Sequence, residues 1–381
     1  MKKEDPGPAE PSPIKLMPSR KSLTTDALGQ LLIVGFDGTE MTDHLSSLLS
    51  RLQPAGVVLF ARNIKSPEQT WRLLRACRKC VRTPLFTCVD VEGGTVDRFR
   101  EALGAAPSVA DVFETGDRKL FRKHGKIVGA NCSALGFNVD FAPVLDLAFE
   151  ASRPVLGTRT VSANPKETVK YAREFLAGLR AARVLGCGKH FPGLGEGQLD
   201  SHHELPVIDK TWIRLWAEDL VPYRTLGRQL PFVMVSHAAY PQVTRDRIPA
   251  SLSKMWITDV LGKRIGYRNL IVSDDMEMGG VLSAATIGEA AVQFVRAGGD
   301  LCLLCHREDR ILEAHEALAK AAERDSKLAV RAVESSRRVL AFKKKNAKLL
   351  QAGKSPGEAI VNKLRRRLWE FEEQVRVEKM A

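Results

Sequence analysis

The chain has 381 residues, 44% of them hydrophobic, with 29 glycines. That is enough for one large α/β domain or two smaller ones, and no apolar run approaches the ~20 residues of a membrane helix. The formal charge of +13 is concentrated at the ends: residues 343–381 hold 11 Lys/Arg against 5 Asp/Glu and residues 1–24 hold 5 against 3, so the middle keeps a surplus of only five, which argues against a nucleic-acid-binding domain.

Residues 1–24 are proline-rich and lack a hydrophobic segment, so they read as a disordered leader rather than a signal peptide. The compartment this implies is the cytoplasm, and seven cysteines, an odd number, fit its reducing conditions. Two CxxC pairs, Cys77/Cys80 and Cys302/Cys305, leave a zinc site as a weak alternative.

Eight short apolar runs follow, at residues 31–36, 56–60, 85–89, 137–141, 182–187, 232–236, 270–273 and 301–304. Most read as strands buried on both faces. Amphipathic helical segments alternate with them. Ser66-Pro67-Glu68-Gln69 supplies an N-cap, a proline at the first helical position and a capping-box glutamine. Asn164-Pro165-Lys166-Glu167 repeats that arrangement before a helix reaching about Arg183. The alternation predicts a single (β/α)8 TIM-type barrel over residues 25–342, with a doubly wound open sheet as the alternative.

Active sites of such barrels gather at the carboxyl ends of the strands. Five of the runs lead there into ionisable residues: Asp90, Arg159, Lys189-His190, His237 and Asp274-Asp275. Polar loops are common, but five converging strand ends point to catalysis. Asp274, flanked by Met276 and Met278, suits a nucleophile or an electrostatic anchor; either adjacent acid equally suits a helix N-cap. The stretch 189–206, KHFPGLGEGQLDSHHELP, reads as an exposed, glycine-rich loop. Within it, Asp200 and His202 are spaced so that the carboxylate can orient the imidazole and raise its basicity. The same loop also allows a metal site through His190, Asp200, His202 and His203. An acid/base histidine with a carboxylate nucleophile suits double displacement at an acetal carbon, the logic of retaining glycosidases.

At this point the blocks GVVLFARNIKSPEQ, VDVEGGTVDRFR, LGFNVDFAPVLDLAF, VLGTRTVSANP, GCGKHFPGLGEGQLDSHHELP, VMVSHAAYP, IPASLS, LIVSDDMEMGGV and AGGDLCLLCH carry a resemblance. Over roughly residues 30–330 the chain resembles the family-3 glycoside hydrolases, in particular their bacterial β-N-acetylhexosaminidase branch, which removes N-acetylglucosamine during peptidoglycan recycling. The resemblance implies Asp274 as nucleophile, His202 as general acid/base and Asp200 as its orienting partner. It further implies that Asp90, Arg98, Arg159, Lys189 and His190 hold the sugar hydroxyls and N-acetyl group, and that His203 is a bystander. It implies no cofactor and no metal, and a small carbohydrate substrate; the charge distribution argues against a nucleic-acid partner, and the chain is expected to be a monomer.

Three departures from the family pattern surround the site: Thr95 and Thr158 where arginine and an acid are usual, and Leu194 where histidine is usual. They bear on aglycone preference and on the setting of Arg159. Two enzymatic alternatives stay open, a phosphorylase and a β-glucosidase of the same family, the first because a spent histidine acid is neutral and repels phosphate less than a carboxylate would. A different class of reading is an inactive barrel used as a binding module. The tail, residues 343–381, is read as basic and helical, with Ile360, Leu364, Leu368, Phe371 and Val375 on one face. It either docks on the barrel or lies on an anionic membrane surface.

Overall fold

A computed structural model describes residues 25–197, 205–351 and 353–380. The eight predicted runs all become strands: β1 Leu32–Val34, β2 Gly56–Val58, β3 Phe86–Val89, β4 Val139–Asp140, β5 Leu185–Phe191, β6 Phe232–Val235, β7 Leu270–Asp275 and β8 Leu301–Leu304. They pair in parallel as a closed barrel in the order β1-β8-β7-β6-β5-β4-β3-β2. The open-sheet alternative fails because β1 pairs with both β2 and β8, Leu32 lying in register with Cys302, which removes any free edge. Alternate residues of these strands, among them Phe86, Cys88, Phe141, Cys187, Phe232, Met234, Val272 and Leu303, fill the barrel interior as one apolar cluster.

Among the surrounding helices are α1 Asp43–Leu52, α2 Pro67–Lys79, α3 Arg118–Leu135 and α4 Pro165–Ala181. The sequence signals for their starts hold where a cap was read. Ser66 accepts from the Gln69 amide and Gln69 returns the bond, closing the capping box of α2. Asn164 caps α4 through the Lys166 amide, and α4 stops at Ala181, just before Arg183 adopts a positive φ of 64°.

Two expectations need correction. The stretch beginning at Lys189 is not exposed at its start: β5 runs on to Phe191, and Lys189, His190, Phe191 and Leu194 are all buried. Composition marks Lys and His as loop residues, but distant acidic partners supply what burial removes. The boundary drawn at residue 343 also falls inside a helix. Helix α5, Ser326–Lys345, continues past it and brings Phe342 under the barrel, edge-on to Phe86 and Phe232 at 6.2 and 5.4 Å. Lys343 is buried there, bonded to Gln30 at 2.7 Å and set over the Phe86 ring.

The tail forms α6, Glu358–Met380, and docks on the barrel. Leu364, Leu368, Phe371 and Val375 are buried as expected, while Ile360 is exposed. Phe371 packs on the buried His124 of α3, Lys123 reaches Gln374 at 2.6 Å, and Lys379 pairs with Glu114 at 2.7 Å. No helix among the described residues is long and apolar enough to cross a membrane.

Candidate active site

The carboxyl ends of β3, β5 and β7 and the loop after β4 surround a cavity of about 180 Å³, lined by Asp90, Arg98, Arg159, Lys189, His190 and Asp274. The structure therefore brings six of the eight residues singled out from the sequence to one place. The other two, Asp200 and His202, lie outside the described residues, as does His203.

The centre of the site is an ion network that the sequence reading did not identify. Glu92 stands three residues after the end of β3, on the short hairpin strand Val91–Gly93, and its side chain is fully buried. It takes the Arg159 guanidinium through two bonds, 2.8 and 2.9 Å, and the Lys189 ammonium through one of 2.6 Å. Lys189 also reaches Asp90 at 2.7 Å. Burial opposes the charge on Glu92, yet Arg159 and Lys189 hold its carboxyl well below the usual carboxylate range. Burial likewise opposes the charge on Lys189, and Asp90 and Glu92 override it, holding the ammonium above the usual lysine range. The two long donors are thereby fixed in position and in charge.

Arg159 needs no acid at position 158. Thr158 is exposed, and the bidentate grip comes from Glu92 instead. Leu194 is buried and lines the cavity, with its amide bonded to Asp146 at 2.8 Å. Asp146, also absent from the sequence reading, fixes His190 by accepting from the imidazole Nδ1 at 2.6 Å and from the His190 amide. The Lys189–His190 and Phe191–Pro192 peptide bonds are cis.

Asp274 lies near the end of β7 with its carboxylate accepting the Asp275 amide at 2.9 Å. Burial favours its neutral form, but His190, His237, that amide and Lys189 outweigh it, so the carboxyl sits below its usual range and is ionised at neutral pH. Asp275 has a different task. It closes a turn by accepting the Glu277 amide at 3.1 Å and faces His306 at 3.3 Å; the following short helix, Gly279–Leu282, starts at Met278 without a side-chain cap. His306 stacks on Phe60, and the Arg98 guanidinium lies over the same ring at 5.6 Å, its Nε buried with no hydrogen-bond partner among the described residues. His237 does not line the cavity. It is buried behind β7, donating from Nε2 to the Asp275 carbonyl at 2.9 Å with Nδ1 against Ser251, and burial pushes its pKa down.

Both missed acids were visible in part. Asp90-Val91-Glu92 puts two carboxylates on one side of an extended segment at a strand end, and Asp146 ends the DFAPVLD segment that leaves β4. No group of three or more His, Cys, Asp or Glu among the described residues is arranged to hold a metal ion, and all seven cysteines are free.

A barrel whose mouth gathers a half-buried ionised carboxylate, two clamped cations and an oriented histidine is suited to the chemistry of a glycoside hydrolase. Comparison with known proteins gives the family: residues 23–341 match the glycosyl hydrolase family 3 N terminal domain, and the chain belongs to that family. A β-hexosaminidase of Idiomarina loihiensis is 36% identical over 299 residues, 77% of this chain and 89% of the relative. One from Alkalilimnicola ehrlichii is 38% identical over 287 residues, covering 74% and 82%. Among solved structures, the family 3 β-N-acetylglucosaminidase of Paenibacillus sp. FPU-7 superposes with a TM-score of 0.83 at 31% identity, over 92% of this chain and 69% of that one. NagZ of Neisseria gonorrhoeae superposes with a TM-score of 0.72 at 27% identity, over 90% and 97%.

Proposed function

We propose that this glycoside hydrolase is an exo-acting, retaining β-N-acetylglucosaminidase that removes terminal N-acetylglucosamine from soluble peptidoglycan fragments in the cytoplasm. The observation that carries the chemistry is Asp274: a half-buried carboxylate kept ionised in a small cavity where Arg98, Arg159, Lys189 and His190 stand among apolar side chains. In this reading its free oxygen attacks the anomeric carbon while His202 protonates the leaving oxygen. A glycosyl ester on Asp274 results. His202, now neutral, takes a proton from water, which attacks the ester carbon and releases the sugar with its configuration retained. Asp200 orients His202. Asp90 accepts from sugar hydroxyls; Lys189, Arg159 and Arg98 donate to hydroxyl and acetyl oxygens; and His190, fixed by Asp146, presents its remaining ring nitrogen to the ring.

The N-acetylglucosamine preference is supported by the names of the relatives and by the density of fixed donors, and a cavity of about 180 Å³ suits one terminal ring better than an extended glycan, since sites for larger ligands run to ~300–1,000 Å³. Turnover of a chromogenic N-acetylglucosaminide tests the reading. Asp274→Asn is expected to lose at least ~10³-fold in kcat, a typical cost of removing a nucleophile. An active Asp274→Asn protein overturns the assignment. Hydrolysis itself fails if sugar 1-phosphate accumulates as the main product in phosphate buffer.

A further inference from the structure

We infer that α6 sets the substrate site from behind: its Phe371, Arg365 and Lys379 are positioning residues for the Glu92–Arg159 pair, a role that rests on the sugar-binding function proposed above for Arg159 and Lys189. The helix lies beyond residues 23–341, the stretch matched by the family domain. It nevertheless backs both partners of the pair.

The Glu92 side is reached through two contacts. Glu92 sits on the hairpin strand Val91–Gly93, and a Cβ added at Gly93 would collide with the Pro107 carbonyl oxygen and stand 3.0 Å from His124 Nε2. The hairpin backbone therefore rests directly on the buried His124 ring, with little room to shift. Phe371, itself fully buried, packs against that ring with centroids 5.7 Å apart. The second contact runs through the loop that follows the hairpin. Asp97 accepts the Ala106 amide at 2.9 Å, and Gly94 donates to the Ala106 carbonyl at 2.8 Å. Arg365 holds the loop between them by donating to the Ala102 carbonyl at 2.8 Å. Arg98, which lines the cavity, stands on that same loop.

The Arg159 side is reached through the short helix Val109–Glu114. It lies against the turn Gly157–Arg159, and α6 packs on it in turn, with Lys379 paired to Asp111 and, at 2.7 Å, to Glu114. Glu92 and Arg159 are 67 residues apart in sequence, so the geometry of their two bonds depends on how their separate segments are backed. A shift of about 1 Å in either segment is enough to misplace donors set for the sugar. Asp274 is out of reach of this brace, because β7 stands across the closed barrel from β3. Loosening α6 should therefore weaken sugar binding and leave the chemical step alone.

Steady-state kinetics of the full chain on a p-nitrophenyl glycoside tests the role. Phe371→Ala is expected to raise KM at least ~5-fold with kcat within about twofold of wild type, the pattern of lost binding rather than lost chemistry. Arg365→Gln combined with Lys379→Gln leaves the buried face of α6 intact and should raise KM at least ~3-fold in the same way. That double variant decides the matter if Phe371→Ala does not fold. Phe371→Leu refills most of the space and should return KM to within about twofold. Trp369→Ala, on the outward face of the same helix at 62% exposure, should change neither constant. If α6 merely stabilises the fold, the variants lose folded enzyme, so that kcat or the melting temperature falls while KM stays the same; that result overturns the positioning role. Equal KM in wild type and the double variant overturns it as well. The comparison is made on whichever of the N-acetylglucosaminide and the glucoside the wild type cleaves, so an uncleaved N-acetylglucosaminide counts against the proposed specificity and not against the role of α6.

Discussion

At the mouth of the barrel Lys189 is enclosed by Asp90 and Glu92, whereas under its floor Lys343 is enclosed by Gln30, Thr83 and the Phe86 ring. Both ammonium groups are almost wholly buried. At the mouth, counter-charges outweigh desolvation and keep the lysine ionised. At the floor, burial meets only neutral partners and pushes Lys343 down to about 7. Equal burial therefore yields a permanent, positioned charge in one place and a labile one in the other. The first is what the proposed sugar-binding role of Lys189 requires; the second supports the packing of α5 beneath the strands, in keeping with the division of barrels into a functional carboxyl end and a stabilising amino end.

Removing the mouth's counter-charge should break this contrast most sharply. Glu92→Gln leaves Arg159 and Lys189 facing each other with only Asp90 to compensate, and breaking a buried ion pair costs about 3–5 kcal/mol. Chemical denaturation is expected to show a loss of that order, with kcat/KM lower by roughly 10²-fold as the two donors shift. Because its folded pKa is depressed, Glu92 contributes its stability above the ordinary carboxylate pKa and loses it only as pH falls through the lower folded value. A Glu92→Gln protein as stable as the wild type would mean that the network does not hold the mouth.

Asp146→Asn should cost less. The shape is retained, but the Nδ1–H of His190 loses its charged acceptor, and kcat/KM is expected to fall by roughly 10- to 100-fold with little change in melting temperature. Equal losses in stability and activity would instead make Asp146 a packing residue.

The floor should respond with the opposite sign. Lys343→Met removes a buried charge without leaving a partner ion behind, and is expected to stabilise the fold by on the order of 1–3 kcal/mol near pH 6. Between about pH 7 and the ordinary lysine pKa of 10.5, the unfolded chain binds a proton at Lys343 that the folded chain does not, so wild-type stability gains from rising pH across that window. Calorimetric melting from pH 6 to 10 should show the advantage of Lys343→Met shrinking as pH rises. An advantage independent of pH would place the lability elsewhere.

The smallest effect belongs to Thr158→Asp, which restores the acid usual in the family beside Arg159. Thr158 is exposed and Arg159 is already held twice by Glu92, so kcat/KM should stay within about threefold, the scale of a surface ion pair. A large gain would show that the present grip on Arg159 is loose.

The barrel was legible because apolar runs such as LIV, GVV and FVMV have the length and β-branching of doubly buried strands, and the Ser66 and Asn164 caps punctuate the helices between them. The mouth was legible wherever a polar residue followed such a run, as Asp90, Lys189 and Asp274 do. What escaped was pairing over distance. Nothing local says that Lys189 is buried, since its partners Asp90 and Glu92 stand almost a hundred residues earlier. Lys343 escaped for the converse reason: in a Lys-Lys-Lys run it reads as solvated tail, and only the reach of α5 under the barrel places it inside. An amphipathic face on α6 announced a partner without naming α3.

The central claim is that Asp274 carries the glycosyl group, and it can be seen directly. The chain is incubated with a fluorinated N-acetylglucosaminide that forms the intermediate faster than water removes it, then digested and sequenced by mass spectrometry. The expected result is one sugar adduct on the peptide containing Asp274, localised to that carboxylate and absent from Asp274→Asn. An adduct on another carboxylate, or steady turnover with no adduct at any residue, would contradict the account.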